Sequence, residues 1–277
     1  MQAPAPKILG PKILGIVNIT SDSFSDGGKF LTPEAAIAHA RKLVAEGADM
    51  IDLGPASSNP DATPIPAEEE IRRLAPVLDA LLGDGIEVSV DSYRPETQAW
   101  ALSRGVRWLN DIRGFPDASL YPALAASASR LIAMYSIQQG QADRRDAPEG
   151  DIIGHICRFF DERLKALEAA GIDRARIVLD PGMGFFLGAA PETSFEVLGR
   201  LGEIGGRFAL PLLVSVSRKS FLRAVTGRAP GEVGAATLAA ELIAAMKGAN
   251  FIRTHAPAPL KDALAVAAML KDSARIR

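Results

Sequence analysis

Eight times along this 277-residue chain, a short apolar run of strand length ends on a polar or glycine-tipped segment and yields to a pattern of helical period. The runs fall at 12–18, 49–54, 86–91, 107–110, 130–135, 176–180, 212–215 and 250–253. The helix-period segments fall at 34–46, 66–82, 95–104, 119–128, 151–170, 193–204, 233–247 and 259–270. Near-continuous runs such as Ile13-Leu-Gly-Ile-Val17 suit parallel strands buried on both faces. Thr32 and Pro33 then supply an N-cap and a first-turn proline for the first helix. Eight strand–helix units in this length predict an α/β fold, a single (β/α)8 TIM barrel. A doubly wound open sheet is the alternative, but no Gly-x-Gly-x-x-Gly turn follows the first strand.

No shift in composition divides the chain, so one domain is expected over 12–277. Pro-Lys-Ile-Leu-Gly occurs twice, at 6–10 and 11–15, and only the second copy leads into a strand; residues 1–11 read as a disordered segment. Hydrophobic residues make up 48% of the chain and the net charge is −2, enough apolar surface for a large core and no basic excess to favour a nucleic-acid partner. No apolar run is long enough to span a membrane and no signal-peptide pattern opens the chain, so a cytoplasmic protein is expected. Cys157, the lone cysteine, lies in a helical segment and reads as an inert buried thiol. His39 and His155 lie within helices without metal-ligand spacing.

In a barrel of this kind, chemistry sits at the C-terminal ends of the strands. Those ends carry Asn18, the 54–61 loop, Asp91, Asn110 with Asp111, Tyr135, Asp180, Lys219, and Arg253 with His255. Any one carboxylate there could cap a helix, and for Asp111 that role is preferred; a whole ring of them is better explained by function. Carboxylates at Asp91 and Asp180 with an amide at Asn110 could clasp a flat heterocycle that presents adjacent N–H donors beside a carbonyl. In Ser215-Val-Ser-Arg-Lys-Ser-Phe221, Lys219 and Ser220 fall where a helix opens, a natural anion site. Arg253 and His255, two apart on an extended segment, can face the same mouth, and with Asn18 they point to a phosphate or diphosphate cradle.

Gly15-Ile-Val-Asn-Ile-Thr-Ser-Asp-Ser-Phe-Ser-Asp-Gly-Gly28, Ser89-Val-Asp-Ser92, Asn110-Asp111, Asp180-Pro-Gly-Met-Gly-Phe185, Ser217-Arg-Lys-Ser-Phe221 and Arg253-Thr-His255 resemble, in order and spacing, the signature set of dihydropteroate synthase. The resemblance covers nearly the whole chain. It implies a folate-pathway transferase joining 4-aminobenzoate to 7,8-dihydropterin-6-ylmethyl diphosphate. It also implies roles residue by residue. Asp91, Asn110, Asp180 and Lys219 would line a pterin pocket, with Asp91, Asp180 and Lys219 carrying the catalysis. Asn18, Arg253 and His255 would hold the diphosphate, with Mg2+ at Asn18. Ser58, Pro60, Phe185, Phe186 and Ser220 would meet the aminobenzoate. Arg253, His255 and Mg2+ would supply positive charge for the leaving group. The loops after the first and second strands would close over the site, and a homodimer would form through the last helices.

The chain departs from the common pattern at two places. After the second strand it reads Gly54-Pro-Ala-Ser-Ser-Asn-Pro-Asp61, with Asn59 where a diphosphate-contacting arginine is usual. After the sixth it reads Gly184-Phe-Phe-Leu-Gly-Ala-Ala-Pro-Glu192, longer than the usual form. Both features are similar to the sulfonamide-insensitive branch carried on resistance plasmids. Rigid aromatic bulk at Phe185 and Phe186 could reject the extra volume of a sulfonamide. Methyl transfer from a folate to a corrinoid partner and catalytically silent pterin binding are the competing readings; diphosphate release separates them.

Overall fold

The computed structural model describes residues 10–19, 32–56, 60, 62–138 and 140–273. Eight parallel strands, β1 (Lys12–Asn18), β2 (Met50–Gly54), β3 (Val88–Asp91), β4 (Trp108–Asp111), β5 (Arg130–Met134), β6 (Ile177–Asp180), β7 (Leu213–Val214) and β8 (Phe251–Thr254), run in the order β6-β5-β4-β3-β2-β1-β8-β7. A parallel bridge from Leu179 to Leu212, with the Leu179 N–H on the Pro211 carbonyl at 2.9 Å, joins the two ends. The sheet thereby closes into the expected barrel, and the open-sheet alternative falls away.

Outside it lie α1 (Pro33–Ala45), α2 (Ala67–Gly83), α3 (Pro95–Ser103), α4 (Tyr121–Ala126), α5 (Ile152–Ala169), α6 (Pro191–Gly199), α7 (Leu201–Phe208), α8 (Ser220–Thr226), α9 (Gly234–Met246) and α10 (Pro257–Ser273). Thr32 Oγ1 accepts from the Ala35 N–H at 3.3 Å, so α1 begins as its sequence indicates. Two segments differ from expectation. The stretch 119–128 is a 3-10 turn followed by the short α4, because Ser127 turns to extended backbone. The helix expected over 193–204 breaks at Arg200 (φ −104°, ψ 15°) into α6 and α7, a run whose four glycines lower helix propensity. Arg200 spans that break by pairing with Glu196, Glu203 and Asp151. The expected disorder of 1–11 lies outside the described residues except for Gly10 and Pro11. Among the described residues, no helix is long and apolar enough to cross a membrane.

The strand period of two sorts the barrel interior into layers. Leu14, Met50, Trp108, Ile132, Val178, Leu213 and Phe251 form a buried apolar plug. Trp108 meets Phe251 edge-on at 5.3 Å and donates its Nε1–H to Glu87 at 2.6 Å. Each such side chain contributes roughly 1.5–3 kcal/mol by leaving water. Two residues farther along β2, β4, β6 and β8 come Asp52, Asn110, Asp180 and Arg253. The plug is therefore the floor of a polar chamber.

Candidate active site

Arg253 is the hub of that chamber. Its Nε–H donates to the Asp52 carboxylate, and its Nη2 donates to Asp91 Oδ2 at 2.8 Å. Asn110 Nδ2 reaches the same Asp52 oxygen at 3.2 Å, and the β3–β4 register sets Asp91 level with Asn110. Across the barrel, Lys219 donates to the Met183 carbonyl at 3.1 Å and lies 4.9 Å from the centre of the Phe186 ring, a cation–π distance. Gly184 (φ 65°) lets this approach happen, since a Cβ there would sit 3.3 Å from both Lys219 Cδ and Ser220 Oγ. Asn18 ends β1 opposite Gly54. A Cβ on Gly54 would stand 3.1 Å from Asn18 Oδ1 and 3.9 Å from Asp91 Oδ2. Ser217 Oγ accepts from the His255 backbone N–H at 3.2 Å and contacts its Nδ1 at 2.9 Å.

Burial governs the electrostatics. It raises the Asp91 carboxyl to about 7, helped by repulsion from Asp52 and opposed by Arg253. It raises Asp180 to about 6 against the pull of Lys219 and the Gly182 N–H bond. It lowers Lys219 to about 8, with Asp180 resisting. The same desolvation, with Arg218 and Arg253 nearby, takes His255 well below the usual imidazole value. His255 is thus a neutral hydrogen-bonding group, where the sequence led us to expect a cation. Asp52 Oδ1 and Asn110 Oδ1 are buried without a hydrogen-bond partner. Three carboxylates face two cations here, with open acceptors between them. That chamber suits a flat, donor-rich, cation-forming ring.

A second layer of buried polar groups fixes the strand ends. Glu70, from α2, accepts from Ser92 Oγ at 2.6 Å and Thr97 Oγ1 at 2.7 Å. Gln98 bridges the Ser92 carbonyl (2.7 Å) and Asp111 Oδ2 (2.9 Å). Asp111 also accepts from the N–H groups of Arg113 (2.7 Å) and Phe115 (3.1 Å). It therefore has the structural role preferred for it, capping a loop turn instead of a helix.

Residues 14–255 match the family model described as pterin binding enzyme. The chain is 71% identical to the type-2 dihydropteroate synthase of Escherichia coli over 96% of its own length and 98% of the relative's. The chain belongs to the dihydropteroate synthases, within the pterin-binding enzyme family. Its barrel superposes on Xanthomonas albilineans dihydropteroate synthase in complex with 7,8-dihydropteroate with a TM-score of 0.81 and 35% identity, covering 95% of this chain and 94% of that one. It also superposes on the Yersinia pestis dihydropteroate synthase in a sulfonamide drug complex with a TM-score of 0.87 and 31% identity, covering 96% and 95%.

Set against that family, the structure gathers Asn18, Asp91, Asn110, Asp180, Lys219, Ser220, Arg253 and His255 at one mouth of the barrel. Phe185 and Phe186 lie on the turn beside Lys219, Phe186 buried among Ile112, Met134 and Ala142 with Phe185 and Tyr93 packed on the same cluster. Ser58, Asn59 and the whole 20–28 loop lie outside the described residues; Pro60 is half-buried. Tyr135 is a correction. It follows β5 but packs edge-on against Phe159 at 5.3 Å, in the layer between sheet and helices. Asp52 is the residue that sequence reasoning missed. An acid alternating with Met50 and Gly54 inside an otherwise apolar parallel strand was the available signal.

Proposed function

We propose that this dihydropteroate synthase holds the pterin of 7,8-dihydropterin-6-ylmethyl diphosphate against Asp91, Asn110, Asp180 and Lys219 and transfers its methylene to the amine of 4-aminobenzoate. The observation that carries the reading is the meeting of these four side chains, three from strand ends and Lys219 from the cap of α8, above one apolar floor. Asp180 and Asn110 offer an acceptor pair for the ring's N–H edge, and Lys219 offers a donor to its carbonyl side. As the C–O bond to diphosphate breaks, positive charge spreads into the pterin, and the buried Asp91 and Asp180 carboxylates stabilise it. The electron pair leaves with the diphosphate. The aromatic amine's lone pair then forms the new C–N bond and its nitrogen gives up one proton to the departing diphosphate or to water, so no covalent enzyme intermediate is required.

Arg253, His255 and Asn18 stand where the diphosphate would lie. Arg253 brings the charge and His255 brings a hydrogen bond. Hard oxygens are available for Mg2+: the Asn18 amide oxygen beside the notch at Gly54, and the unpartnered Asp52 Oδ1. Among the described residues, no group of three or more His, Cys, Asp or Glu side chains is placed to hold a metal ion. When bound, Mg2+ would neutralise charge on the leaving group.

In our reading the aminobenzoate lies between Ser220 and the Phe185–Phe186 turn, with Pro60 toward the far side. The two aromatic rings exclude the larger sulfonamide head and make the enzyme insensitive to it. The chain works in the cytoplasm on these small molecules. Exposed Ile243 and Met246 on α9 and Val266 and Met269 on α10 support a homodimer through the last helices. Turnover of the two substrates with stoichiometric diphosphate release tests the activity, and its absence would leave a silent binder. Sulfonamide inhibition of the wild type and of a variant lacking Phe186 tests the exclusion. An unchanged Ki in that variant refutes it.

A further inference from the structure

The loop after β5 and the loop after β6 are pinned together, and one buried side chain does much of the pinning. The Ile137 N–H donates to the Phe186 carbonyl at 3.1 Å, and the Ala189 N–H donates to the Arg145 carbonyl at 2.9 Å. Gly188 (φ 127°) lies so close to the β5 loop that a Cβ would be 2.7 Å from the Ala147 nitrogen. Between these contacts lies Gln138, only 5% exposed. Its Nε2 donates to the Phe185 carbonyl at 2.8 Å and to Asp143 Oδ1 at 3.0 Å. Its Oε1 accepts from Ser136 Oγ at 2.7 Å. Both amide hydrogens and the amide oxygen are thus committed. The Phe185 carbonyl receives a second bond, from the Gly188 N–H at 3.3 Å.

A wall of side chains excludes a bulkier ligand only if it cannot move aside for less free energy than the overlap costs. Backbone bonds hold Phe186 from behind, and the Arg144 guanidinium lies 5.7 Å from the Phe185 ring. Among the described residues, the Phe185 carbonyl accepts from Gly188 within its own turn and from Gln138, which ties that peptide to the β5 loop. Asp143, whose carboxyl is held at about 2 by its bonds to Arg145 and Gln138, fixes the amide's orientation from the other side. We propose that Gln138 is a specificity-determining positioning residue: its bond to the Phe185 carbonyl makes the Phe185–Phe186 turn rigid enough to refuse sulfonamides while admitting 4-aminobenzoate. This rests on the exclusion reading given above.

The test compares Gln138→Glu, Gln138→Met and the Phe186 deletion with the wild-type enzyme, measuring sulfonamide Ki, 4-aminobenzoate KM, kcat and Tm. The glutamate variant keeps the size and the Ser136 bond but loses the donor to Phe185; methionine keeps the size alone and serves where glutamate does not fold. A lost hydrogen bond of ordinary strength corresponds to roughly a tenfold fall in sulfonamide Ki. We expect that fall in a folded Gln138 variant, with KM and kcat within about threefold of wild type. A merely structural role would lower Tm and leave the ratio of Ki to KM unchanged, which overturns the proposal. If the Phe186 deletion restores inhibition but neither Gln138 variant does, the turn is rigid without Gln138 and only this proposal fails. If the deletion also leaves Ki unchanged, the exclusion reading fails and takes this proposal with it.

Discussion

Replacing Asp52 by asparagine probes the part of the site that is most deeply built in. Asp52 is fully buried and serves Arg253 and Asn110 through one oxygen. Removing one partner of a buried ion pair costs about 3–5 kcal/mol. Asp91 still holds Arg253 at 2.8 Å and the asparagine oxygen can still accept, so the lower end, about 3 kcal/mol, applies. At about 2.1 cal/mol/K per residue, a chain of this length has an unfolding entropy near 0.6 kcal/mol/K, so Tm falls by about 5 °C. The pH profile carries the sharper signature. Asp52 repels charge on Asp91 and competes for Arg253, so its loss lowers the Asp91 value from about 7. The carboxylate is the form needed to stabilise the pterin cation, so the acidic limb of kcat/KM moves to lower pH. Differential scanning calorimetry and initial rates from pH 5 to 9 read both effects (~5 °C and the limb's direction). A Tm within a degree of wild type and an unmoved limb would refute the assignment of Asp52 as counter-ion to this hub.

In the wild type, Asp91 is ionised above about 7, Asp180 already above about 6, and Lys219 is protonated below about 8, so kcat/KM for the pterin diphosphate should peak between about 7 and about 8. Lys219→Arg should push the alkaline limb upward, as steady-state rates at saturating 4-aminobenzoate would show. Lys219→Met leaves the Asp180 carboxylate without its cation and should cut kcat/KM by at least about 30-fold, chiefly through pterin KM. Gly54→Ala places a methyl 3.1 Å from Asn18 Oδ1, so half-maximal activity should require several-fold more Mg2+ while Tm stays near wild type. A magnesium titration with parallel thermal melts checks it.

The strand and helix alternation was readable because each period is a local property, and β1 carries its pattern in seven consecutive residues. Strand-end polar residues were readable for the same reason, since Asp91, Asn110, Asp180 and Arg253 each close an apolar run. What escaped depended on the partner strand. Asp52 lies inside β2, and only closure of the barrel brings Arg253, 201 residues away, against it. The neutrality of His255 escaped as well, because it follows first from depth, which no local motif displays. Tyr135 misled because strand alternation, with Ile132 and Met134 facing the barrel interior, puts its ring outward against Phe159 of α5.

The central claim is that these strand ends converge to grip a pterin. A crystal structure of the enzyme with 7,8-dihydropteroate tests it most directly. The account predicts the pterin edge on Asp91, Asn110, Asp180 and Lys219, with the aminobenzoate ring beside Ser220 and Phe185–Phe186. A product lodged elsewhere, or one whose pterin edge touches neither Asp180 nor Lys219, would contradict it.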